Sequence, residues 1–396
     1  MEVMLREEEA LAKILAAIKP LPARTLSLAN ALDCFSQHDL FAKISLPIFD
    51  NSAMDGYAVL ASSCKIGTRL RVIGEQPAGL DRQLQVNAGE AVRIFTGAPI
   101  PNGADAVVIQ EEVSLEGGEI VLREKVEAGE FIRRRGCDLS EGQKILAQGE
   151  RIRPQAIALL ASQGIVDLAV GGELRVAIVS TGDELIAPGE ALQAGQLYES
   201  NSLLLRALLE KCGASVISTR HCADNAGKIE IALREGAKAD ALIISGGVSV
   251  GARDYVKSAL QNIGGEIDFW RVAIKPGKPF LFGRAGSCAV FGLPGNPVSA
   301  FVTFLVLVRP ALLKMMGAAN SEIGLRKVPV ELDLDLRNEG DRVHYLRGKL
   351  VDGNFTPIGR QESHALFGLS QSNALFSLAP GEKFSRGERV TVLIWD

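Results

Sequence analysis

Between Leu174 and Gly317 the sequence alternates short apolar runs with amphipathic helical segments, and that alternation leaves few architectures open. Arg175 to Ser180 reads as a strand and Ser202 to Cys212 as a helix, with Asn201 as its cap and Gly213 as its stop. Strand Ser215 to Thr219, helix Asn225 to Ala237, strand Asp240 to Ser245 and helix Asp254 to Ile263 follow, and a helix beginning at Pro297 closes the region. Strands alternating with helices of this length join by crossovers into a parallel sheet with both faces covered. The expectation is a doubly wound α/β domain.

That domain is less than half of a chain of 396 residues, and one hydrophobic core rarely serves more than about 250. Leu5 to Ile18 has apolar residues at helical spacing opposite an acidic face and is stopped by Pro20 and Pro22. From Tyr57 to about Gln143 the pattern changes to short β-type runs, Arg69 to Ile73, Ala106 to Ile109 and Glu119 to Arg123, between glycine-rich turns. Arg153 to Gly164 returns to helix, so the β module reads as inserted into a helical arm. From Lys327 onward, alternating runs such as Val328 to Leu336 and Arg389 to Trp395 read as a terminal β-barrel or sandwich.

Composition narrows the function classes. Hydrophobic residues make up 47% and charged residues 23%, as in soluble globular proteins, and 43 basic against 47 acidic residues leave a net charge of only −4. No charge excess draws the chain to a polyanion, so nucleic acid is not an expected partner. The longest apolar run, Val298 to Val308, falls short of the ~20 residues that span a bilayer and reads as a buried helix, so no membrane is expected. The acidic N-terminus lacks the features of a signal peptide, and six cysteines without a C-x-x-C pair read as reduced thiols in a cytoplasm.

Ligands of a doubly wound sheet bind at the carboxyl ends of its strands. Thr181-Gly182-Asp183-Glu184 follows the first strand and Ser245-Gly246-Gly247-Val248-Ser249-Val250-Gly251 follows a later one. A glycine-rich turn lets backbone amides approach an anion, although glycines also serve tight turns with no ligand. The strings match neither a P-loop nor the dinucleotide fingerprint. Lys275-Pro276-Gly277-Lys278 has the proline and glycine of a type II turn, which would bring Lys275 and Lys278 together as an anion clamp or leave two solvated lysines. Pro294-Gly295-Asn296-Pro297 offers a second such turn, with Asn296 as helix cap and Pro297 at the first helical position. Asp55, Asp138, Glu184, Asp224 and Asp254 fall in loops or at helix starts, where each is either a cap or a ligand. Carboxylates joined to lysines and amide nests suit Mg²⁺ bridging phosphates. Neither a zinc-protease nor a serine-hydrolase motif occurs, and His38, His221, His344 and His364 are scattered.

These strings, together with the stretch Asp50 to Val59, Thr96-Gly97-Ala98-Pro99, Arg133-Arg134-Arg135-Gly136 and Ser180 to Leu185, resemble the molybdopterin molybdenumtransferase family, which includes the E domain of gephyrin. The resemblance runs in order from the first helix to the C-terminus. It implies a helical arm (1–46 and 143–172), an inserted mostly-β module (47–142), an α/β molybdopterin-binding domain (173–317) and a C-terminal β-barrel (318–396). It implies insertion of molybdate into adenylated molybdopterin with release of AMP, in the presence of Mg²⁺. By similarity, Asp55, Thr96 and Asp138 act with Glu184, Asp224 and Asp254 as the catalytic set, Glu184 and Asp254 holding the metal. Ser245, Gly246, Gly247, Ser249, Lys275, Lys278, Pro294 and Pro297 bind substrate, with Arg347 and Ser363 added by the barrel. The resemblance also implies a homodimer with shared sites. A molybdopterin adenylyltransferase shares only the α/β domain, and a scaffold protein of this ancestry is the other alternative.

Overall fold

The computed structural model describes residues 4–248 and 255–395. The chain separates into two compact units, Met1–His38 with Ala147–Ala158 and Val166–Asp396, and Asp39–Leu146 with Leu159–Ile165.

The first unit is built on a six-stranded sheet in the spatial order Ser215–Cys222, Arg175–Thr181, Ala241–Ser245, Cys288–Leu293, Leu281–Ala285 and Glu266–Trp270. The first four strands are parallel, as the alternation predicts, whereas the last two pair antiparallel. A two-residue Gly286-Ser287 connection explains the departure, because a hairpin that short forces antiparallel pairing and Gly286 supplies the positive φ of 62° that it needs.

Both faces are covered. Val176 and Ile178 point to one side, where Leu205 and Leu209 from helix Asn201–Lys211 and the apolar helix after Pro297 bury them. Ala177 and Val179 point to the other, under Ile229 and Leu233 of helix Ala226–Gly236 and Val256 and Leu260 of helix Tyr255–Asn262. The central strand Ala241–Ser245 is buried throughout, the signature of a strand with a layer on each side.

The helical run Pro297–Met315 is 19 residues long and apolar, and 89% of its most apolar window is buried inside the fold. Its middle turn, Phe304–Val308, widens to π geometry just before Pro310, whose ring lacks an N–H and would crowd the carbonyl four residues back in a tight α-turn. The opening helix Glu7–Ala17 adds Ala10 and Ile14 to the same cluster.

The C-terminal strands close on themselves. Val343–Val351 pairs with Asn354–Pro357, which continues through Arg326–Leu332, Arg389–Ile394 and Ala374–Leu378 back to Val343–Val351. This five-stranded barrel encloses Val330, Leu332, Leu346, Phe355, Phe376 and Val392. Strand Ile274–Lys275 joins it in parallel, setting Lys275 opposite His344.

The second unit is a curled six-stranded sheet, ordered Ala106–Ile109, Gly56–Val59, Glu90–Ile94, Arg69–Gln76, Glu119–Leu122 and Val113–Glu116. Residues Leu159–Ile165 belong to it because the Gln163 carboxamide oxygen accepts from the backbone N–H groups of Lys43 and Ile44.

Candidate active site at the carboxyl ends of the parallel strands

The strand ends of the first unit open on a cleft of about 720 Å³, within the range of small-molecule sites. Glu184 and Asp224 line it, as do Ser245, Gly246, Gly247, Pro294 and Pro297. Seven of the site residues expected from the sequence therefore share one cavity, each at the end of a strand, in the loop after one or at a helix start. A second hollow of about 650 Å³, walled in part by Arg151, Arg153, Arg309 and Trp395, contains none of them.

The glycines are required where they stand. Gly246 has φ +86° and a Cβ there would lie 2.7 Å from the Thr181 carbonyl oxygen, while at Gly247, φ +64°, it would meet Val256 and Thr181. Gly182, φ +146°, leaves room for the Glu184 carboxylate, whose oxygens would lie 2.8 and 3.0 Å from a Cβ. Beside it the Asp183 carboxylate accepts from the Asp224 N–H at 2.9 Å, which ties the loops after two neighbouring strands.

Asn201 is not the helix cap that the spacing predicts. It is the first helical residue, Ser200 takes the cap position, and the Asn201 amide donates to the Ser245 hydroxyl at 2.9 Å and the Gly295 carbonyl at 2.7 Å. One buried side chain thus holds the glycine turn to the Pro294 turn. Asn296 does occupy the cap position of the Pro297 helix, but its side chain caps nothing and donates to the Ser363 hydroxyl at 2.8 Å. The first free amide of that helix, Val298 N–H, donates to the Ser363 carbonyl. Ser363 is therefore fastened to the cleft wall, and His364 and Leu366 beside it line the cavity.

Three expectations change. The Lys275–Pro276 peptide is cis and Gly277 has φ +119°, so this segment is not a type II turn. Lys275 and Lys278 are exposed and outside the cleft lining, although Pro279 lies within it. Arg347 is wholly buried, and its guanidinium donates to the carbonyls of Arg360 and Ala365, so its contact is with the loop that carries Ser363 rather than with the cleft. Ser249 and Asp254 lie outside the described residues.

Within the second unit, Asp55 and Thr96 come together. The Asp55 carboxylate accepts from the Thr96 N–H at 2.7 Å and its hydroxyl at 2.8 Å, and these bonds, the backbone one foremost, hold its pKa below the usual range. Asp138 is exposed in its own loop, its N–H bonded to the Leu46 carbonyl. Asp50, which sequence reasoning quoted but gave no role, binds the arginine-rich string: it accepts from Arg134 Nη1 at 2.6 Å and the Arg135 N–H at 2.8 Å.

Known proteins resemble the chain throughout. Residues 5–164 match the family described as MoeA N-terminal region (domain I and II), residues 177–314 the "Probable molybdopterin binding domain", and residues 329–395 the MoeA C-terminal region (domain IV). A molybdopterin molybdenumtransferase of Haemophilus influenzae is 39% identical over 98% of both chains. Molybdopterin molybdenumtransferase 2 of Mycobacterium tuberculosis is 35% identical over 98% of both. The crystal structure of the molybdopterin biosynthesis MoeA protein from Pyrococcus horikoshii OT3 superposes with a TM-score of 0.86 at 30% identity, covering 99% of this chain and 100% of that one. With motifs, fold and full-length similarity in agreement, the chain belongs to the molybdopterin molybdenumtransferase family.

Proposed function

We propose that this chain takes adenylated molybdopterin, places molybdate on its dithiolene sulfurs and releases AMP in the cytoplasm. The observation that supports this most is the cleft itself, which combines a glycine turn, two helix starts and loop carboxylates at the ends of parallel strands. Its size suits a nucleotide joined to a pterin. In this reading Gly246 and Gly247 let backbone approach the phosphates, Pro294 and Pro297 shape the wall, and Ser245 is fixed by Asn201. Lys275 and Lys278 contribute positive charge near the barrel junction, and Arg347 with Ser363 positions the barrel loop. Incubating the protein with adenylated molybdopterin, Mg²⁺ and molybdate should yield AMP and active cofactor. Absence of both products would overturn the assignment.

The donor set suits magnesium, because Glu184 and Asp224 place carboxylates in the cleft and Mg²⁺ takes one or two of these while keeping waters and phosphate oxygens. Asp254, the other expected ligand, is outside the described residues. When bound, the ion would offset charge on the phosphate oxygens. Glu184→Gln removes one anionic donor at nearly constant size. It should raise the Mg²⁺ needed for half-maximal AMP release by about tenfold, with partial rescue at excess metal. An unchanged titration would return Glu184 to a purely structural role.

We propose further that the active form is a homodimer with two equivalent clefts, Asp55 and Thr96 of one subunit serving Lys275 of the other, as the family resemblance implies. Asp55→Ala and Lys275→Ala, each inactive alone, should regain activity when mixed under subunit exchange. Random pairing leaves one cleft in four intact, about a quarter of wild-type activity. Verified heterodimers as inactive as either parent would place each site within one subunit.

A further inference from the structure

Glu199 stands out in the cleft wall because nothing in the proposed chemistry uses it. The residue is 8% exposed, and buried carboxylates are rare without full pairing. One oxygen accepts from the Ser202 N–H at 2.9 Å, satisfying a helix-start amide. The other oxygen has no partner among the described residues, yet Glu199 lines the cavity. Its backbone is equally fixed. Glu199 N–H donates to the Ile186 carbonyl at 2.8 Å, at the end of a short parallel ladder pairing Leu185–Ile186 with Leu197–Tyr198. Two residues on, Asn201 is held by Ser245 and Gly295, and because Gly295 contributes a carbonyl that can only accept, the amide orientation is determined.

Part of the same lining is apolar and can pack against a ring. Leu185, Leu197, Pro279, Pro294 and Leu366 line the same cavity. A glutamate oxygen left without a partner beside apolar side chains can accept from a ring N–H or an amino group, and offers nothing to an oxyanion.

We propose that Glu199 is a specificity residue that accepts a hydrogen bond from the amino-bearing edge of a heterocycle in the substrate. The assignment rests on the proposed reaction, whose substrate carries two such edges, one on adenine and one on the pterin. The phosphates then face the backbone of the glycine turn rather than the Glu199 side chain.

Glu199→Gln separates this role from the cap, since the glutamine oxygen still accepts from Ser202 while an NH₂ group replaces the second oxygen. Binding of four probes to the full chain would be measured by calorimetry: AMP, purine riboside 5′-monophosphate, 6-hydroxymethylpterin and its 2-desamino analogue. The expected result is a tenfold to hundredfold loss, the range of a charged hydrogen bond, for one amino-bearing probe, with its amino-less partner unchanged within about twofold. A loss for AMP identifies adenine as the ligand, and a loss for the pterin identifies the pterin. Equal losses within both pairs, no loss in either, or a shift only in the Mg²⁺ requirement would overturn the proposal. Wild-type protein that turns over adenylated molybdopterin while Glu199→Gln keeps the same KM would sink this inference and leave the reaction standing; wild-type protein that releases no AMP would sink the reaction itself.

Discussion

Arg347→Ala should cost the fold about 2–4 kcal/mol and detach the loop that carries Ser363. The side chain is fully buried and its guanidinium donates to the carbonyls of Arg360, at 2.6 Å, and Ala365. Gln361 secures the same loop from the other side, its oxygen accepting from the Arg347 N–H and its amide donating to the Arg347 and Ile358 carbonyls. Burial lowers the Arg347 pKa and the Glu362 charge opposes that, but the ordinary value is so high that the group stays charged. Truncation leaves two carbonyls without donors and a cavity in their place. Arg347→Lys should recover little, because one ammonium does not reproduce a planar fork. Urea unfolding measures the loss, and hydrogen exchange across 358–366 should rise in a folded sample. Wild-type stability with unchanged exchange, combined with weaker substrate binding, would mean that Arg347 meets the ligand directly.

The sequence made the α/β layer legible because buried parallel strands and their covering helices have different periods, and Ala241–Ser245 and Ala226–Gly236 fall within a few residues of the expected spans. The antiparallel end of that sheet carried a signal too, Gly286-Ser287 between apolar runs, but the helical alternation around it masked a hairpin. Asn201 illustrates a different limit. Ser200 and Asn201 are both good caps, and only the positions of Ser245 and Gly295, 44 and 94 residues away, decide which one is spent on the cleft. Arg347 was opaque for a similar reason. Residues Tyr345 to Gly348 are all buried, since Leu346 faces the barrel interior while Tyr345 joins the α/β cluster, so the strand has no solvent face for alternation to report. The glycine turn after Ala241–Ser245 and Pro297 at its helix start were readable as local signals; the conformation of the Lys275 segment and contacts made by tertiary closure were not.

Lys275→Ala should lower AMP release by about a hundredfold, the size of effect seen when a charged stabiliser is removed from a preorganised site, and it should leave a second trace independent of turnover. Lys275 sits opposite His344 where Ile274–Lys275 joins the barrel. The His344 ring is half-buried, its Nε2 has no hydrogen-bond partner among the described residues, and burial first, then the charges of Lys275, Arg347 and Arg342, bring its pKa down to about 4. Removing the Lys275 charge while keeping the ring buried should raise that pKa part of the way toward the ordinary value of about 6.5, which imidazole proton shifts would record. The sign for stability follows. Above about pH 6.5 the ring is neutral in folded and unfolded chains and costs nothing. As pH falls from there toward 4, the unfolded chain takes up the proton and the folded one does not, so stability drops across that window. In Lys275→Ala the drop should be smaller. Lost activity together with an unmoved His344 pKa would mean that the Lys275 ammonium is directed away from the barrel junction and acts on the substrate alone; an unmoved pKa with full activity would remove Lys275 from the site.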